Sequence, residues 1–324
     1  MRRRTVLCLG LLAPALLAVS GAQAREPDWP SALVIGTASP GGTYEAYGNA
    51  LARLLTRKLN IPVTARTTQG PTENLKLLES GEVDLAFVTK GIAVQGWNAT
   101  APWTDGRHLQ ALRVMFPMYD TPFQFVALED SPIKSIADLA GKRVGIGPQG
   151  GTGGTYTPEI LKALNIEATL VPGDWSALAT ALLEGKIDAL VGVGGVPLPS
   201  IIDIERKAKV RYLPLSPRQI TDIRLAVPEL GSAGVPGGSY PTLRRLYPTV
   251  GIYNFAVARR GLPDSLVFEI VDTVFGNLGE LIEAAPSAAE TNPVNISRND
   301  LLPFHAGAAR WYRNRSSPGV ISGD

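Results

Sequence analysis

Apolar positions along this chain fall into short blocks of two kinds. "ALVIGTA" (32–38) is a continuous apolar run of strand length. The stretch after it, "GTYEAYGNALARLLTRKL" (42–59), puts Ala46, Ala50, Leu51, Leu54, Leu55 and Leu59 at helical spacing. "VTART" (63–67) alternates as a strand does, "TENLKLLESGE" (72–82) reads as a helix entered through Thr72, and "VDLAFV" (83–88) is strand-like again. The order β-α-β-α-β predicts a parallel sheet covered by helices. The middle of the chain repeats that order. "KRVGIG" (142–147), "ATLVP" (168–172) and "IDALVGV" (187–193) read as strands, separated by the helices "TYTPEILKALNI" (155–166) and "DWSALATALLEGK" (174–186).

Two short patterns recur with the elements. "GGTY" occurs at 41–44 and again at 153–156, each time after an apolar run and ahead of a helix-like stretch. Gly81-Glu82-Val83-Asp84 is matched by Gly185-Lys186-Ile187-Asp188. In this second pattern the glycine ends a helix in the left-handed conformation and the apolar residue begins the next strand. Two like β-α units predict an α/β protein of two similar lobes, one from residues 26–125 and 213–324, the other from 126–212. "LRVMFPMYDTPFQFVALED" (112–130) holds two strand-like runs and no helix, and reads as the crossing between lobes. "VRYLPL" (210–215) is the expected way back, and "VGIYNFAVAR" (250–259) a strand returned to the first sheet. Two crossings make a hinge, and the cleft between lobes is the default ligand site.

The first 24 residues change the charge. Arg2, Arg3 and Arg4 precede an apolar stretch that ends in Ala22-Gln23-Ala24, the pattern of a secretory signal peptide cleaved near Ala24. An uncleaved anchor fits less well, because Pro14 interrupts the run and the small residues suit cleavage. Export by the ordinary secretory route is expected, and a periplasmic location with it. Loss of the three arginines turns a formal charge of +2 into about −1, and Cys8, the one cysteine, leaves with them. Disulfide and thiolate chemistry are thereby excluded from the exported chain. Near-neutral charge also gives no electrostatic footprint for nucleic acid.

Catalytic patterns are scarce. His108 and His305 are far apart and lack metal-ligand spacing, and neither G-x-S-x-G nor a phosphate-binding P-loop is present. No cofactor or metal is expected. The glycine-rich corners carry the chemistry instead. In an open parallel sheet, ligands sit beyond the carboxyl ends of the strands, where glycine lets backbone N–H groups come close and the helix dipole adds about half a positive charge. One corner per lobe grips a ligand from two sides, and a carboxylate suits that grip. The plainer alternative is that both corners are only tight turns.

These residues carry a resemblance to the TAXI family, the solute-binding proteins of TRAP transporters. "IGTASPGGTYEAYGNALARLL" (35–55) is similar to that family's opening strand, turn and helix, and "TQGPTENLKLLESGEVDLAFV" (68–88) to its second helix and third strand. "SIADLAGKRVGIGPQGGTGG" (135–154), "LLEGKIDALVGVGGVPLPSI" (182–201) and "LLPFHAGAARWYR" (301–313) resemble its entry to lobe two, a later helix and strand, and its final helix. Three places depart from the family pattern. Gly150-Gly151-Thr152-Gly153 stands where Gly-Ser-Gly-Thr is usual, Thr89-Lys90-Gly91 where Gln-Ser/Asn-Asp is frequent, and His305-Ala306-Gly307-Ala308 where His-Pro-Gly-Ala is usual. The resemblance implies a type II periplasmic binding protein that captures a small solute of the glutamate, glutamine or 2-oxoglutarate class for a TRAP membrane permease. An enzyme on a bilobed fold and a ligand sensor for a signalling partner are the alternatives.

The expected contacts follow. Backbone N–H groups around Gly41, Gly42, Thr43 and Tyr44 should face those of Gly150, Gly151, Thr152 and Gly153, with hydroxyls from Thr43, Tyr44, Thr152 and Thr155. Pro197 should shape the floor. Trp175, after the N-cap Asp174, should lie near the cleft. Thr89 and Lys90 follow a strand end that opens on the cleft, and Lys90 is expected to hold a ligand carboxylate, unless it pairs with a protein carboxylate such as Asp120.

Overall fold

The computed structural model describes residues 28–315, so the leader expected at 1–24 lies outside the described residues. The first unit runs β1 (Leu33–Gly36), α1 (Thr43–Leu59), β2 (Val63–Arg66), α2 (Pro71–Ser80), β3 (Leu85–Thr89), α3 (Lys90–Asn98) and then the long β4 (Leu112–Leu128). The second runs β5 (Arg143–Gly145), α4 (Thr152–Ala163), β6 (Thr169–Val171), α5 (Trp175–Leu183), β7 (Ala189–Val193), α6 (Pro199–Glu205) and β8 (Val210–Tyr212). There follow α7 (Pro217–Ala226), β9 (Gly231–Val235), β10 (Tyr247–Arg259), α8 (Asp264–Gly276), α9 (Leu278–Ala284) and α10 (Ala306–Arg315).

The Gly-x-apolar-Asp pattern does the same work in both units. Gly81 and Gly185 both take left-handed φ, +79° and +68°, and turn the chain from helix to strand. The aspartate three residues on then fastens the neighbouring strand. Asp84 accepts the Val34 N–H at 3.0 Å and donates its own N–H to Val34 O. Asp188 accepts the Arg143 N–H at 2.8 Å and donates to Arg143 O. Each carboxylate also pairs with an arginine, Arg259 at 3.2 Å and Arg143 at 2.7 Å.

Parallel strands form the heart of each sheet, β2-β1-β3 in one and β6-β5-β7 in the other. The two sheets are joined, because their long strands belong to both. Along 112–122, β4 pairs antiparallel with β10; along 123–128 it pairs with β7 and β8. Likewise β10 pairs with β9 over 247–251 and with β3 over 254–258. One ladder therefore runs from β2 to β6. The crossing read as two strand runs is a single strand. The return is made by β10 and not by 210–215: β8 stays bonded to the end of β4, and the Leu213 N–H donates to Phe125 O at 2.8 Å.

Burial explains the near-continuous apolar strands, since both sheet faces are covered. On β3, Leu85 and Phe87 face a core with Leu51, Leu55, Phe116, Ile270 and Trp311. Ala86 and Val88, on the opposite face, join Leu75, Leu78 and Ile92, and that core continues through Phe123 and Phe125 to Val144, Leu178 and Leu190 of the second unit. Each fully buried Leu, Ile or Phe contributes about 1.5–3 kcal/mol by leaving water.

Candidate ligand-binding site

Four helices begin at one place between the sheets. Gly42 precedes α1, Gly70 precedes α2, Gly151 precedes α4 and Asp174 precedes α5; no side chain caps any of these four starts. The first N–H groups of a helix have no partner within it, so these starts bring the positive ends of four dipoles together. At α2 and α5, however, the Thr72 and Ser176 N–H groups are taken by Gly150 O and Pro40 O, and Pro71 has no N–H to offer. They enclose a cavity of about 40 Å³ open to the centre of a water molecule. One water needs about 10–15 Å³ by the same measure, so the space suits a small molecule.

The wall is uncharged among the described residues. Gly42, Thr43 and Tyr44 come from the first corner, Gly151 and Thr152 from the second, and Trp175 from the start of α5. Gln69, Gly70 and Pro71 bring the start of α2, and Val193 and Gly194 the end of β7. The two long strands supply Tyr119, Thr121 and Asn254. These three form a network with Tyr44, whose hydroxyl donates to Asn254 Oδ1 at 2.6 Å. Asn254 Nδ2 donates to Tyr119 O at 2.7 Å and to Thr121 Oγ1 at 2.5 Å. Burial pushes the Tyr44 hydroxyl well above the ordinary tyrosine range, so it stays protonated and donates. Burial does the same to Tyr119, with Tyr44, Tyr47 and Glu290 adding to it. The buried Tyr119 hydroxyl has no hydrogen-bond partner among the described residues.

Hydrogen bonds tie one unit to the other around this cavity. The Ser176 N–H donates to Pro40 O at 3.1 Å, and the Ser200 N–H to Gly41 O at 3.2 Å. Thr43 Oγ1 donates to Gly195 O at 3.3 Å, and Thr72 Oγ1 to Gly150 O at 2.9 Å. Glycine is needed where the surfaces meet. A Cβ on Gly42 would stand 2.8 Å from Trp175 Cδ1, and one on Gly150 2.7 Å from Thr72 Oγ1. The corners thus serve the closed contact between units as well as the cavity.

Several expected residues fall elsewhere. Gly41 and Gly150 are outside the wall, and their carbonyls accept the cross-unit bonds just described. The second "GGTY" lies within α4 from its second residue on, because that helix starts at Thr152 behind Gly151. Gly153 there faces the Ile146 carbonyl, and Thr155 Oγ1 donates to Gly151 O of its own helix at 3.0 Å. Thr89 is out of the wall but within 3.4 Å of the Thr152 hydroxyl. Lys90 opens α3 directly after β3, and its ammonium pairs with Asp300 at 2.6 Å instead of entering the cavity. Pro197 is half-buried beyond Gly194 and Gly195, outside the wall.

Other wall residues were missed from the sequence. Asn254 had a signal: it is the one amide in the apolar run 250–259, and a buried amide must be bonded. Pro71 at the first position of α2 is a recognised helix start, one residue before the Thr72 chosen from the pattern.

This architecture matches several solved structures, a periplasmic binding protein among them. MatC from Rhodopseudomonas palustris with bound malate superposes with TM-score 0.57 at 14% identity, covering 87% of this chain and 98% of that one. The periplasmic binding protein BugD gives 0.59 at 14%, covering 88% and 96%. A putative L-cystine ABC transporter protein from Listeria monocytogenes gives 0.51 at 14%, covering 82% and 99%. The fold is therefore that of a type II periplasmic binding protein. Residues 35–315 match the model of the NMT1-like family, and the chain belongs to that family.

Proposed function

We propose that this protein is an extracytoplasmic solute receptor of the TAXI kind. It captures a small organic acid or amino acid between its lobes and delivers it to a TRAP-type permease. One observation carries the reading: four uncapped helix starts converge on a small uncharged cavity between the two sheets. Such starts attract an anionic group through N–H donors and dipoles together. The five resembling segments support the TAXI and TRAP assignment, and the Arg-rich apolar leader supports a periplasmic location.

An enzymatic reading has less support. Among the described residues, the cavity wall contains no His, Lys, Asp, Glu or Cys, the usual agents of proton transfer and nucleophilic attack. Closure is the working step in the receptor reading, and a ligand that binds both lobes favours the closed state by its differential affinity. Micromolar binding, about −8 kcal/mol, is ample. Calorimetry of the purified protein with carboxylic acids, amino acids and neutral solutes, paired with solution scattering, tests it. A carboxylate-bearing solute should bind and compact the molecule; a bound solute that is turned over, or one that leaves the shape unchanged, removes the reading.

A further inference from the structure

Gln95 stands outside the cavity wall and bonds to both units. It lies on α3 of the first unit, one turn beyond Gly91. Trp103 Nε1, which can only donate, bonds Gln95 Oε1 at 3.1 Å and so fixes which way the amide faces. Gln95 Nε2 is thereby turned to two oxygens. It donates to the Tyr156 hydroxyl, on α4 of the second unit, at 3.3 Å, and to Glu229 Oε1, in the link from α7 to β9, at 3.2 Å. Both amide hydrogens and the amide oxygen are engaged. Burial, with the Glu229 charge adding to it, raises the Tyr156 hydroxyl well above the ordinary tyrosine range, so Tyr156 stays neutral.

Gly91 makes this approach possible. A Cβ there would run into the Tyr156 hydroxyl and would stand 3.0 Å from Glu229 Cβ. On the same edge, Thr89 Oγ1 lies 3.4 Å from Thr152 Oγ1. The segment Thr89-Lys90-Gly91 thus meets the second unit through its first and last residues. We propose that Gln95 is a latch on the cleft: it holds α3 of the first unit to α4 of the second, and so sets ligand affinity without touching the ligand. A solute that needs the joined form binds with its intrinsic dissociation constant divided by the fraction of molecules that are joined. Loosening Gln95 lowers that fraction equally for every solute, so affinity falls and selectivity stays. The affinity effect rests on the receptor reading, the latch on the geometry alone.

An exchange of charge across the contact tests this. Gln95→Glu sets a second carboxylate against Glu229, and this variant should be more open than the wild type in solution scattering without ligand. Adding Glu229→Gln restores an amide–carboxylate pair with the partners exchanged, and should return the scattering curve to that of the wild type. Calorimetry with malate, glutamate and 2-oxoglutarate gives the second readout. Each solute that binds should lose about tenfold in Gln95→Glu, by one common factor, and regain it in the double variant. A Gln95→Glu curve that superposes on the wild type overturns the latch, and so does an opening that Glu229→Gln fails to reverse. A factor that differs from solute to solute overturns it too, because Gln95 would then act on the ligand itself. Failure of every solute to bind, with the opening and its reversal observed, overturns the receptor reading and leaves the latch standing.

Discussion

The indole of Trp175, at the start of α5, rests against Gly42 at the start of α1, leaving no space for a side chain between them. Gly42 has φ −94° and ψ 161°, a conformation any residue adopts. A methyl group there disturbs the contact across the cleft and little else; its nearest neighbour within the same corner is Ser39 O at 3.2 Å. Gly42→Ala should weaken ligand binding by the roughly 1–3 kcal/mol typical of overpacking. The apo melting temperature should move by no more than a few degrees, and Gly42→Val should act more strongly. Solution scattering should show the variants less compact with ligand. An unchanged affinity in Gly42→Val would show that the glycine serves the turn alone.

Much of the fold was legible in the chain because both faces of each parallel strand are buried. The continuous run Val83–Val88 reads as a strand for the reason that places Phe87 in one core and Val88 in the other. The Gly-x-apolar-Asp repeat was equally legible, being a local device with its partners one strand away. The cavity was legible only where a local rule reports it, at the glycines that precede α1 and α4 and at Asp174 before α5. Tyr119 and Asn254 come from strands more than a hundred residues apart, so no local pattern joins them. Lys90 was misplaced for the same reason: Asp300, its partner, lies far along the chain. The second "GGTY" misled because identical letters occupy different positions relative to the helix start.

The repeated aspartates should differ in their importance. Asp84 is the more enclosed, with 16% of its side chain exposed against 30% for Asp188. Removing it leaves the Val34 N–H and Arg259 without their partner. Asp84→Ala should cost about 1–3 kcal/mol, and Asp188→Ala less, because water replaces its bonds more readily. Urea unfolding of both variants gives the comparison, and a larger loss for Asp188→Ala would contradict it.

Lys90 should be dispensable for binding. Its ammonium pairs with Asp300, whose side chain is 65% exposed, and such pairs contribute about 0–1 kcal/mol. Lys90→Met should leave the affinity for any carboxylate within about twofold and stability nearly unchanged. A tenfold loss in calorimetry, with the fold intact, would return Lys90 to the site.

His305 makes the C-terminal helix sensitive to acid. The ring is buried at the start of α10, where the Gly307 N–H donates to Nδ1 at 3.2 Å. That bond requires Nδ1 without a proton, so the neutral ring is the one that fits. Burial holds its pKa below the ordinary histidine value; Asp264, with Oδ1 3.6 Å from Nδ1, pulls the other way but does not prevail. The unfolded chain therefore binds the proton more readily than the folded one as pH falls below the ordinary value, about 6.5. The contribution of His305 is complete above that pH and is lost as pH drops through the lower folded-state value. What loosens is the packing of α10, where Trp311 stacks on Phe275 at 4.8 Å. Urea unfolding at pH 7.5 and 5.5 should show the wild type losing more stability than His305→Gln, whose amide takes up no proton. Exposed His108 is present in both proteins and cancels in the comparison. Equal losses in the two proteins would show that His305 does not change its proton affinity on folding.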